Sequence, residues 1–178
     1  TGKQHGISND IKIPNDTKLL IVTDGGSNDY EQHKILKDKG IDIIILDHHD
    51  ADRISENAIV INNQLCDYPN KQLCGAGIVY KFLKALDDEL WIEEADKYLD
   101  LVALGLIGDS MNVSEMETKY YITKGLNQIT NKQLKALIKK QEYSTKGVVN
   151  INNIAFYIVP LVNAMIRCGK QDEKQLLY

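Results

Sequence analysis

The sequence predicts an α/β protein: a parallel sheet with flanking helices, followed by a mostly helical portion. Two apolar runs, KLLIVTD (18–24) and IDIIILD (41–47), each end in an acid, and a stretch of helical character separates them. Strand, helix and strand within about 30 residues make a βαβ unit, whose strands run parallel. The runs are continuously apolar rather than alternating, as in a sheet covered on both faces. From residue 75 onward the apolar residues recur at helical spacing.

Taken in order, residues 18–24 form the first buried strand. GGSNDYEQHKILKDKG (25–40) comes next, with Ser27, Asn28 and Asp29 as helix-start chemistry and Gly40 as the stop. His33 falls mid-helix among charges, which places it in solvent. Residues 41–47 form the second buried strand and NAIVIN (57–62) a third. Helices are expected at 75–86, 91–108, 117–129, 131–140 and 153–169, with Pro160 near a helix start or at a kink. One of Tyr120 and Tyr121 should pack inward, and KKQEYSTKG (139–147) reads as an exposed turn. No repeat and no linker rich in Pro, Gly or Ser interrupts the chain. One compact unit is expected, α/β over about 1–65 and helical over about 75–178.

The 178 residues suffice for one domain with a sizeable core. A domain that holds nucleic acid by bulk electrostatics is more often basic than one with a net charge of −4, so any such role has to come from a local patch or from parts not present in these residues. Cys66, Cys74 and Cys168 form no C-x-x-C pair, which argues against a disulfide framework or a zinc site. They read as small buried or half-buried apolar residues in a reducing, cytoplasmic compartment. Residues 1–17 carry no apolar core of a signal peptide. No apolar run approaches the ~20 residues that span a bilayer, so no membrane partner is expected.

Parallel sheets place their sites at the carboxyl ends of the strands. Asp24 ends the first run, and Asp47, His48, His49 and Asp50 end the second. If those strands are neighbours, the groups face one crevice. Asp24 alone could equally be a turn residue or a helix cap. Side chains of adjacent strand residues point to opposite sides, so one histidine could ligate a metal while the other meets substrate. In LDLVALGLIGDSMNV (99–113) another acid, Asp109, interrupts an apolar run, either as a cap for the next helix or as a ligand. Asp24, His48 and Asp109 together are oxygen-rich with one imidazole, a set suited to Mn²⁺ or Mg²⁺. Three ligands cannot fill two octahedral ions.

These residues resemble a known family. LDHHDAD (46–52) resembles the signature of the DHH phosphoesterase superfamily, and the neighbouring segments resemble its RecJ-type single-stranded-DNA-specific exonucleases. GKQHGIS (2–8) and LIVTDGGS (20–27) are similar to the family's second motif and its approach. YPNKQLCGAGIVYKFLKAL (68–86), LVALGLIGDSMNV (101–113) and IAFYIVPLVNAMIRCG (154–169) are similar to three later segments, in the same order. The resemblance implies that Asp24 bridges two Mn²⁺ ions and that His48 and Asp109 ligate one of them. It implies that His49 contacts the scissile phosphate and that Asp47 orients an imidazole. Gly75, Ala76 and Gly77 would meet phosphate at a helix start, and Asn163 and Arg167 would hold the DNA backbone. His5, where the family usually has Tyr, is open between a loop residue and a substrate contact. PLVNAMIR (160–167) stands where the family has PRINAAGR.

The family's first motif, an Asp-x-Asp pair, is absent from these residues, as are its C-terminal DHH-associated and nucleic-acid-binding domains. The resemblance therefore implies most of one DHH domain, inactive by itself. In the intact protein two Mn²⁺ or Mg²⁺ ions would hydrolyse single-stranded DNA to 5′ mononucleotides, in DNA repair or recombination. Two alternatives stand beside it: a DHH phosphodiesterase for short oligonucleotides or cyclic dinucleotides, and a non-catalytic DHH scaffold.

Overall fold

The structure, a computed structural model, describes residues 6–8 and 11–168. His5 lies outside the described residues. The chain divides into two units, Thr1–Leu86 and Asp87–Tyr178.

In the first unit, strands β1 (Leu19–Thr23), β2 (Asp42–Asp47) and β3 (Ile59–Asn62) form a parallel sheet in the order β1-β2-β3. Helix α1 (Tyr30–Asp38) makes the crossover between the first two. It ends where Gly40 adopts a φ of 76°, the left-handed stop that glycine takes without strain. Asp29 precedes α1 without capping it; its carboxylate instead accepts the Ile7 N–H at 2.6 Å. The register pairs Thr23 with Leu46 and Asp47 with Asn62, so the carboxyl ends of all three strands come level. Ile7, Leu36, Ile41, Ile43 and Ile45 form the core, with Ile13, Leu20, Val22, Ala58 and Val60 packed against it.

Cover on both faces holds for β2 but not for β1. Leu19 and Ile21 are each 48% exposed, because β1 is an edge strand that turns only Leu20 and Val22 to the core. His33 also departs from expectation. Helix α1 buries the i, i+3 pair His33 and Leu36, and His33 is 0% exposed, with Nδ1 3.0 Å from Ser55 Oγ. Among the cysteines, Cys74 is buried, while Cys66 and Cys168 are exposed.

Helix α2 (Gly75–Leu90) comes after the sheet. The second unit is helical: α3 (Leu99–Gly108), α4 (Met116–Asn127), α5 (Lys132–Lys140), α6 (Glu142–Thr145), α7 (Ile151–Asn153) and α8 (Val159–Cys168). The helix expected from residue 91 starts only at Leu99, after a 3₁₀ turn (Ala95–Tyr98). Trp91 is 93% exposed with a left-handed φ of 56°, and the buried Asp87 carboxylate accepts the Glu94 and Ala95 N–H groups at 3.0 and 2.8 Å. Helices α3 and α4 pack together, and Val102, Ala103, Leu106, Thr118, Tyr121 and Ile122 on them are buried, while Tyr120 is exposed. Asp100, also buried, closes the turn before α5 by accepting the Thr130 and Asn131 N–H groups at 2.7 Å each. The expected turn at 139–147 contains helix α6, with Thr145 buried.

A π-helical segment (Ile154–Ile158) joins α7 to α8 just before Pro160. Proline has no N–H to donate back along a helix, and the wider π turn absorbs that missing bond. The continuous run Ile151–Cys168 is 18 residues long and 11% buried. By length and composition it could cross a bilayer, contrary to the expectation that no run would.

Candidate metal centre

β1 stops at Thr23, and Asp24 takes a left-handed φ of 62°. Its N–H still donates to the Leu46 carbonyl at 2.9 Å, so the turn is tied to β2 at its first residue. β2 ends at the same level in Asp47, and His48 and His49 lie beyond the last strand residue. Freed from strand alternation, the two rings do not point to opposite sides. Their centroids lie 4.4 Å apart, and His48 Nε2 stands 3.3 Å from Asp24 Oδ1. One ligand atom from each of Asp24, His48 and His49 falls within 4.8 Å of the other two. One carboxylate with two imidazoles suits a divalent cation. Metal–ligand bonds of about 2.0–2.2 Å close such a triangle with small side-chain movements, so these residues fit the implied ion.

Asp47 organises both histidines. It is 1% exposed, and its Oδ1 accepts the His48 and His49 N–H groups at 2.8 and 3.2 Å. The same oxygen lies 2.7 Å from His49 Nδ1, while Oδ2 accepts the Ser27 N–H at 3.1 Å. Burial pushes the carboxyl upward, but the hydrogen bonds from His49 and Ser27 outweigh it and hold the pKa at about 2. An ionised carboxylate only accepts. His49 Nδ1 therefore carries the proton, and in the neutral ring the lone pair sits on Nε2.

Asn62, at the end of β3, belongs to the same network. It is buried, and its Nδ2 donates to Ser27 Oγ and to the His49 carbonyl, both at 2.9 Å. Its Oδ1 accepts the Gln64 N–H at 2.8 Å. Extending the strand-end rule to the third strand, level with Asp47, would have singled it out.

Gly75 opens α2 beside Asp24: a Cβ built there would lie 2.7 Å from Asp24 Cβ and 2.8 Å from Cγ. Ala76 and Gly77 continue the first turn. Asp24, Asp47, His48, His49 and Gly75 thus meet at one end of the first unit. Asp109 stands in the second unit, exposed at the carboxyl end of α3, where its N–H donates to Gly105 O at 2.9 Å. It ends that helix rather than opening the next one. Asn163 and Arg167 are exposed on α8, also in the second unit.

Residues 3–106 match the DHH family, N-terminal domain. The chain is 49% identical over 174 residues to a Bacillus subtilis (strain 168) protein named as an SPbeta prophage-derived single-strand DNA-specific exonuclease, YorK. That alignment covers 97% of this chain and 30% of the relative. It is 35% identical over 160 residues to the single-stranded-DNA-specific exonuclease RecJ of the same organism, covering 86% of this chain and 20% of the relative. Among solved structures it is similar to exonuclease RecJ bound to manganese, with a TM-score of 0.78 and 25% identity over 90% of this chain and 42% of that one. The chain therefore spans 30% or less of the length of these two curated relatives.

Proposed function

The chain belongs to the DHH family, and from that premise we propose that it supplies the Asp-His-His half of a phosphodiesterase site acting on single-stranded DNA. The activity would be a RecJ-type exonuclease that releases 5′ mononucleotides in repair or recombination, in the cytoplasm. The observation that carries this reading is the Asp24-His48-His49 triangle at the level carboxyl ends of two neighbouring parallel strands. The names of the relatives support the substrate.

In this reading Asp24 and His48 hold the ion. Asp47 holds the His49 ring through Nδ1 and so leaves Nε2 as the ring atom that faces the scissile phosphate, to which it would donate with both ring nitrogens protonated. Asn62 and Ser27 fix the backbone on which both histidines ride. The first turn of α2, from Gly75 to Gly77, offers backbone N–H groups to phosphate. A bound Mn²⁺ or Mg²⁺ supplies charge neutralisation at the phosphoryl oxygens and a water of lowered pKa.

Calorimetric titration of the chain with Mn²⁺, beside His48→Ala, tests the half-site. Binding that disappears in the variant is expected, and binding that survives it refutes the assignment. For activity, the full-length protein is given a long labelled single strand, the matching duplex and a dinucleotide. Mn²⁺-dependent release of 5′ mononucleotides from the single strand is expected. Preference for the dinucleotide, or cleavage indifferent to chelator, overturns the proposed substrate or the metal. Alanine at Asp109, Asn163 or Arg167 puts the assignments in the second unit to the same assay.

A further inference from the structure

We propose that Gly75 is a positioning residue: its bare Cα fixes where the Asp24 carboxylate stands relative to His48 and His49. This rests on the metal reading above and adds to it a role distinct from phosphate binding. Gly75 does not have the left-handed φ that Gly26 and Gly40 show, so its backbone would accept any L residue. Space alone demands glycine. A methyl group there would lie 2.7 Å from Asp24 Cβ, 2.8 Å from Cγ, and closer still to Oδ1.

The Asp24 backbone has little freedom to retreat, although its side chain is 56% exposed. Its backbone is left-handed, and its N–H is tied to the Leu46 carbonyl. Rotating the Asp24 side chain clears Cγ and Oδ1 from a methyl at position 75 but leaves Cβ in place, so relief also needs a small backbone shift at Asp24 or at the start of α2, and both movements take the carboxylate off the 3.3 Å approach to His48 Nε2. Helix α2 thereby sets the geometry of a ligand on a different element, with no hydrogen bond required.

The test is a double-mutant cycle in the full chain with two readouts, Mn²⁺ affinity by calorimetry and metal-free thermal unfolding. The variants are Gly75→Ala, Asp24→Gly and the pair. Gly75→Ala should weaken Mn²⁺ about 10-fold or more, the range seen when residues orienting metal ligands are lost. It should lower the unfolding temperature when Asp24 is present and leave it unchanged on the Asp24→Gly background, where the struck atoms are gone. If Gly75→Ala folds only as the double variant, that supports the proposal equally. The proposal falls if Gly75→Ala keeps Mn²⁺ affinity within about twofold, or if its unfolding penalty is the same on both backgrounds. A wild-type chain that binds no Mn²⁺ refutes the metal reading, and the unfolding cycle then decides by itself whether Gly75 acts through Asp24.

Discussion

Asp47 accepts hydrogen bonds from His48, His49 and Ser27 on its two carboxylate oxygens, and its charge is what makes them strong. A folded pKa of about 2 against an ordinary 3.8 corresponds to roughly 2 kcal/mol of stability. Because the pKa is depressed, that stability is present above pH 3.8 and disappears as pH falls through about 2. Asp47→Asn should therefore lower urea-unfolding stability by about 2 kcal/mol at neutral pH and converge on the wild type near pH 2. Equal stabilities at neutral pH would refute the role. His33 works in the opposite range. Burial lowers its pKa below 6.5, so the fold favours the neutral ring, and stability is full above pH 6.5 and declines below it. His33→Gln should make that decline shallower between pH 7 and 5, read from unfolding midpoints. Asn62→Ala removes donors to Ser27 and His49 and should cost about 1–3 kcal/mol; unchanged stability would mean that water replaces them. Asp24, His48 and His49 are legible in the sequence because polar residues stop apolar runs there. Asn62 is legible only when the same strand-end rule is extended to the third strand, because an uncharged asparagine there also reads as ordinary turn chemistry. The burial of His33 is hidden, because charged neighbours on α1 mask the one face that packs on the sheet.

At the scale of elements, α3 and α4 approach so closely that a Cβ at Gly125 would overlap the Leu99 carbonyl oxygen and lie 2.7 Å from Ala103 Cβ. Gly125→Ala should destabilise the second unit by about 1–3 kcal/mol, although alanine is the better helix former. A neutral or stabilising result in thermal unfolding would mean the helices can part without loss. The βαβ unit can be read from periodicity, since strand and helix patterns differ over a few residues. The delayed start of α3 cannot. It depends on Asp87 reaching across a turn and on Trp91 adopting a left-handed backbone, and neither leaves a periodic trace. The π turn before Pro160 is half legible: proline announces a disturbance but not how the helix absorbs it.

At the scale of the whole molecule, an ion that binds only the folded chain must raise its stability by mass action. At a free Mn²⁺ concentration near 100 times the dissociation constant, the gain should be about 2.7 kcal/mol. It should vanish on adding chelator and be absent in His48→Ala. A wild-type melting curve indifferent to Mn²⁺ would refute the site.

The outer edge of β1 is unpaired among the described residues, and beside it Leu19 and Ile21 lie half open to solvent. Such an edge is a template for any other extended chain. The strand that offers it is the one whose next residue is Asp24. An intruding strand that pulls β1 out of register therefore carries a residue of the proposed metal site with it. On the proposed site, self-association and loss of the ion would be one event, so Ile21→Lys, which blunts the edge, should also prolong retention of Mn²⁺.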